Sequence, residues 1–89
     1  MAYGGAPVLT RAARKDLDRL PRAILERADP LILALAENPR PFGSEKLQGF
    51  ENLYRVRMGK YRILYEIDRA ASLVTIAKIE HRKSVYRRR

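Results

Sequence analysis

Arg55, Arg57 and Arg62 flank a Gly59-Lys60 pair, and His81, Arg82, Lys83 and Tyr86 follow near the end of the chain. A guanidinium is a permanently charged fork matched to phosphate or carboxylate. The chemistry such a set suits is the gripping of an anion, most simply phosphodiester oxygens. His81 is the single histidine, and imidazole is the side-chain type in this group best suited to exchanging a proton at neutral pH. It reads either as an acid/base group or as a polar surface residue. Tyr86 reads either as part of the site or as an aromatic anchor tucking the tail onto a sheet. There is no cysteine, and one histidine does not make a zinc site, so neither a metal nor a cofactor is expected.

The elements that must position these side chains are strands. Leu53 to Met58, Tyr61 to Ile67 and Leu73 to Ile79 are rich in Tyr, Val and Ile. A two-residue turn at Gly59-Lys60 pairs Met58 with Tyr61, Arg57 with Arg62, Val56 with Ile63 and Arg55 with Leu64. Side chains alternate across a strand. Tyr54, Val56, Met58, Tyr61, Ile63, Tyr65 and Ile67 therefore share one face, and Arg55, Arg57 and Arg62 the other. A register holding Ile67 opposite Leu73 sets Lys78 beside Arg62, with Leu53, Leu64, Val74 and Ile76 as an apolar floor. Like charges directly opposite on a sheet cost about 0.2–1 kcal/mol, so folding alone does not select this arrangement. The alternative is a solvated face on which the arginines pair with Glu66 or Glu80, expected on the same side.

Ahead of the strands, Ala6 to Leu9 reads as a short strand, and Thr10 as the N-cap of a helix ending near Leu20. Ala13, Leu17 and Leu20 mark its apolar stripe. A second helix runs from Pro21 to Glu37 with Ile24, Ala28, Leu31 and Leu35 on one face. Pro30 inside it either kinks the helix or marks a restart capped by Asp29. Asn38 to Gly49 is turn chemistry throughout, Asp68 to Ser72 a longer turn, and Glu80 to Arg89 a basic tail. The expectation is an α+β fold: a short N-terminal strand, a helical hairpin, then an antiparallel β-meander with the helices on one sheet face.

With 89 residues the chain is expected to make a single domain, 1–89, with 87–89 expected as a frayed basic tail. The formal charge is +9, of which residues 44–89 carry +7. A small protein this basic meets a polyanion or an acidic partner. No segment has the pattern of a signal peptide or a membrane span, which points to a reducing cytoplasm.

Two stretches have a familiar look: Tyr54-Arg55-Val56-Arg57 through Gly59, Tyr61-Arg62-Ile63 and Tyr65, and the ending His81-Arg82 with Val85-Tyr86-Arg87. With Asp16-Leu17, Leu20-Pro21, Asn38-Pro39, Gly43, Lys46-Leu47 and Gly49, the chain resembles the RelE/ParE superfamily of type II toxin–antitoxin toxins. The resemblance implies the fold just described. It also implies a metal-independent mRNA interferase of the RelE branch, cutting message in the ribosomal A site by attack of the ribose 2′-hydroxyl on the adjacent phosphate. It assigns Arg55, Arg57, Arg62, His81, Arg82 and Tyr86 to the catalytic site; Lys46, Lys78 and Lys83 are the lysines expected to contact the RNA. The best-known RelE toxins carry lysines where this chain has Arg55 and Arg57. Arginine does not give up its proton in proteins, so proton transfer falls to His81, Tyr86 or a ribosomal group. The alternative in the same superfamily is a ParE-type toxin that poisons DNA gyrase and has no RNase site. Either branch implies a small acidic antitoxin and a toxin–antitoxin hetero-oligomer.

Overall fold

The computed structural model describes residues 7–82. Strand β1 (Val8–Leu9) leads into α1 (Arg11–Arg19) and α2 (Arg22–Glu37), followed by β2 (Glu45–Lys46), β3 (Leu53–Met58), β4 (Tyr61–Asp68) and β5 (Leu73–His81). The five strands form one sheet in the order β1-β5-β4-β3-β2. Only β1 pairs in parallel, with β5; the other neighbours are antiparallel. No helix among the described residues is long and apolar enough to cross a membrane.

Thr10 begins α1 as its composition suggests, its hydroxyl oxygen accepting from the Ala13 amide at 3.1 Å. The same residue ties the helix start to the sheet: its amide donates to Ile76 O and its hydroxyl to Ala77 O. Leu20, ahead of Pro21, is extended, which ends α1. Helix α2 continues through Pro30 without the restart at Asp29 that the sequence left open. Ala28 on one side of Pro30, and Ile32, Leu35 and Ala36 on the other, are buried. Apolar packing thus spans the turn where proline removes a hydrogen bond.

The core lies between the helices and one sheet face. Val56, Met58, Ile63, Tyr65 and Ile67 from β3 and β4 meet Ala13, Ala28, Ile32 and Leu35, as alternation on the hairpin requires. Tyr65 is fully buried; its hydroxyl donates to Pro39 O at 2.7 Å and its ring stacks on Tyr54. Burial pushes its phenol pKa up.

Strand β5 departs from the expected register. Ile67 pairs with Val74, not Leu73, and Asp68 with Leu73, across a turn in which Ser72 takes a positive φ of 53°. A one-residue slip exchanges the faces of a strand. Val74 and Ile76, expected on the open face, are therefore in the core at 1% and 0% exposure. Ala77 is then an extra residue, because Tyr65 pairs with Ile76 while Leu64 pairs with Lys78. This bulge returns Ile79 to the core and brings Glu80, not Lys78, opposite Arg62.

Lys78 is held instead by α1. Its ammonium lies 3.2 Å from Asp16 Oδ2, and the same oxygen accepts the Ile79 amide at 2.9 Å. Beyond the end of β1, Asp16 thus supplies β5 with an edge partner that a neighbouring strand would otherwise provide. Asp16→Ala removes an acceptor from a half-buried amide and strands Lys78. It is expected to cost about 1–3 kcal/mol, a fall in Tm of at least about 4 °C. Tyr65→Phe leaves the buried Pro39 carbonyl without its donor and is expected to cost about 1–2 kcal/mol in a urea titration, with m unchanged.

Candidate nucleic-acid interface

The hairpin that carries the arginines turns at Gly59-Lys60. Gly59 has φ +62°, the first position of a primed turn. The Arg27 guanidinium of α2 lies 3.3 Å from where a Cβ would stand, so any larger residue there meets both backbone strain and a neighbour. The tight turn fixes the register, and β3 and β4 pair as the sequence indicates: Met58 with Tyr61, Arg57 with Arg62, Val56 with Ile63, Arg55 with Leu64.

Arg57 and Arg62 therefore stand directly opposite each other on the face away from the helices, with Arg55 two residues along β3. On the same face, Leu53 and Leu64 near them and Thr75 and Leu73 further along β5 are half-buried. Neither Arg57 nor Arg62 forms an ion pair among the described residues. Glu66 and Glu80, the partners the sequence offered, are not at ion-pair distance from any of the three. Arg55 is paired by Glu45, a residue that no sequence pattern marks. The Arg55 Nε and Nη2 both donate to Glu45 Oε1, at 3.0 and 2.7 Å. The Arg55 hydrogen bond, then its charge, hold the Glu45 carboxyl below its ordinary pKa, and the Arg57 charge adds to this. Glu45 was hidden because β2 is two residues long inside a turn-rich segment, too short for alternation to register.

The remaining expected residues divide. Arg82 is exposed, and its amide donates to Lys60 O at 2.7 Å, which ties it to the hairpin turn beside the arginine pair. Lys78 does not belong to the cluster, since Asp16 holds it. Lys46 pairs with Tyr54, one position out of phase with Arg55, so alternation assigns it to the other face. His81 pairs with Tyr61, on the face that bears the helices, and its ring meets the Tyr61 ring edge-on at 4.9 Å. It borders a cleft with Asp16, Arg19 and Tyr61 rather than the arginines. Lys83, Tyr86 and the 87–89 tail lie outside the described residues.

What the open face can do chemically follows from its charge. Two arginines directly opposite each other, neither in an ion pair among the described residues, can together seat an anion with several oxygens. No group of acidic and histidine side chains among the described residues is arranged to hold a metal.

The sequence matches the ParE toxin family of the type II toxin–antitoxin system parDE over residues 8–86. It is 34% identical over 80 residues to toxin RelG of Mycobacterium tuberculosis, covering 89% of this chain and 92% of that protein. Among solved structures, it resembles the toxin–antitoxin complex RelBE2 of Mycobacterium tuberculosis at a TM-score of 0.78 and 30% identity, over 92% of this chain and 93% of that one. The isolated Escherichia coli RelE toxin shares the fold at a TM-score of 0.76 and 18% identity, over 94% and 98% of the two chains. The hairpin of paired arginines, the helix-backed sheet and these relatives agree, and the chain belongs to the RelE/ParE superfamily of toxins from type II toxin–antitoxin systems.

Proposed function

We propose that this toxin is an endoribonuclease, an mRNA interferase that cuts message on the ribosome. The observation that carries the reading is Arg57 facing Arg62 across the hairpin, both without an acidic partner among the described residues. Folding gains nothing from that juxtaposition, and a phosphodiester gains two charge-assisted donors. The ribose 2′-oxygen forms a bond to the adjacent phosphorus, and the bond from phosphorus to the 5′-oxygen breaks. A base takes the 2′-hydroxyl proton, and the 5′-oxygen leaves with a proton. Negative charge grows on the non-bridging oxygens in between, where fixed guanidiniums contribute most. Arg57 and Arg62, with Arg55 beside them, clamp and stabilise; none of them is the base. Proton transfer belongs to Tyr86 or to a ribosomal group, because His81 pairs with Tyr61 on the helix-bearing face.

The partner that restrains the toxin is an acidic antitoxin, and its carboxylates suit the same arginine face. Solved neighbours such as RelBE2 are toxin–antitoxin complexes. A second reading, a ParE-type toxin acting on DNA gyrase, is favoured by the name of the matching family.

Arg57→Ala with Arg62→Ala separates the two. Primer extension on message after induced expression is expected to show cleavage by the parent chain, falling at least about 100-fold in the double variant. Growth arrest should vanish with it, while thermal melts show that the double variant is still folded. Arrest without message cleavage, accompanied by loss of gyrase supercoiling, selects the ParE reading. Arg57→Ala alone is also expected to leave stability unchanged or raise it by up to about 1 kcal/mol, since a like-charge pair is relieved; urea denaturation measures this.

A further inference from the structure

The carboxylate of Glu45 occupies the Nε–Nη2 edge of Arg55 through a single oxygen, with contacts of 3.0 and 2.7 Å. That edge is one of those with which a guanidinium forks a phosphate. The pair is exposed enough to contribute little to folding: the side chains keep 31% and 62% of their accessible surface. Two of the three arginines on this face are thus open and the third is already engaged, by a residue whose strand, β2, sits at the sheet edge.

We propose that Glu45 is an internal competitor for phosphate, a carboxylate that holds Arg55 closed until a nucleic-acid phosphate displaces it. The proposal rests on the RNA-binding reading above and specifies how that site is tuned. Arg57 and Arg62 bind first contacts of the strand. Arg55 joins only when a phosphate takes the place of Glu45 Oε1. A short or poorly seated polyanion then meets two cations, and a fully seated strand meets three. Neutralising Glu45 opens the third cation in the free protein. In a complex with a fully seated strand, Glu45 swings away on its flexible side chain, which its exposure permits; a short strand leaves it on Arg55.

The experiment measures binding, not cleavage. A short single-stranded RNA with 2′-O-methyl groups, which cannot be cut by 2′-hydroxyl attack, is titrated by fluorescence anisotropy across a salt series. Glu45→Gln is expected to tighten binding about two- to five-fold, the equivalent of breaking one exposed ion pair. It should also steepen the slope of log K against log salt by about 0.7, one additional phosphate contact on a single strand. Glu37→Gln, the same charge change on exposed α2, is expected to give neither effect in full. In an Arg55→Ala background the gain from Glu45→Gln should disappear, with thermal melts confirming that each variant is folded. A Glu45→Gln variant that binds equally or more weakly, or whose gain survives without Arg55, overturns the proposal. If the parent chain binds RNA no better than Arg57→Ala with Arg62→Ala, the RNA reading itself fails, and this proposal with it.

Discussion

Strand β5 carries one more residue than β4 along their shared ladder, and the place of that residue, Ala77, decides what the rest of the molecule is built on. Before the bulge, Val74 and Ile76 point into the core; after it, Ile79 does. Without it, the apolar side chains at one end of β5 would leave the core, because strand alternation has a period of two. The bulge lies where the chain needs to change partner. Thr10 bonds Ile76 and Ala77 at the end of β1, and Asp16 takes over at Ile79. Helix α1 is thereby fastened along the sheet edge, and α2 packs beside it over the same face.

That arrangement leaves one face of the sheet to electrostatics. Both helices lie on the core side among the described residues, so the arginines of β3 and β4 stay on the open side. The bulge also sets who stands beside them. Lys78 is withdrawn to Asp16, and Glu80 takes the place opposite Arg62. The cluster is smaller and less repulsive than a continuous register would make it, three arginines with one already paired. A like-charge pair on an otherwise well-satisfied fold gains the protein nothing in stability, and the proposed RNA site accounts for it.

The hairpin was legible because every determinant is local. Gly59 supplies the turn, six residue pairs follow from it, and alternation sorts them into core and arginine faces. The caps of α1 were legible for the same reason, with Thr10 and Pro21 acting within one turn of the helix end. Pro30 was ambiguous because its neighbours' burial, not its own backbone, decides whether a helix survives it. Glu45 escaped notice because two residues of strand show no period. The family resemblance puts His81 among the catalytic residues, and cross-strand pairing sets it opposite Tyr61.

The sequence by itself therefore determined the order of elements other than β2, the β3–β4 register, the core face of that hairpin and the opposition of Arg57 to Arg62. The tertiary structure alone decided the β4–β5 register, the withdrawal of Lys78, the side of the sheet that His81 occupies, and the closing of Arg55 by Glu45. For Lys78 the physical reason is distance along the chain. Lys78 and Asp16 are 62 positions apart. A contact of that kind depends on how whole elements pack, which neither propensity nor alternation encodes.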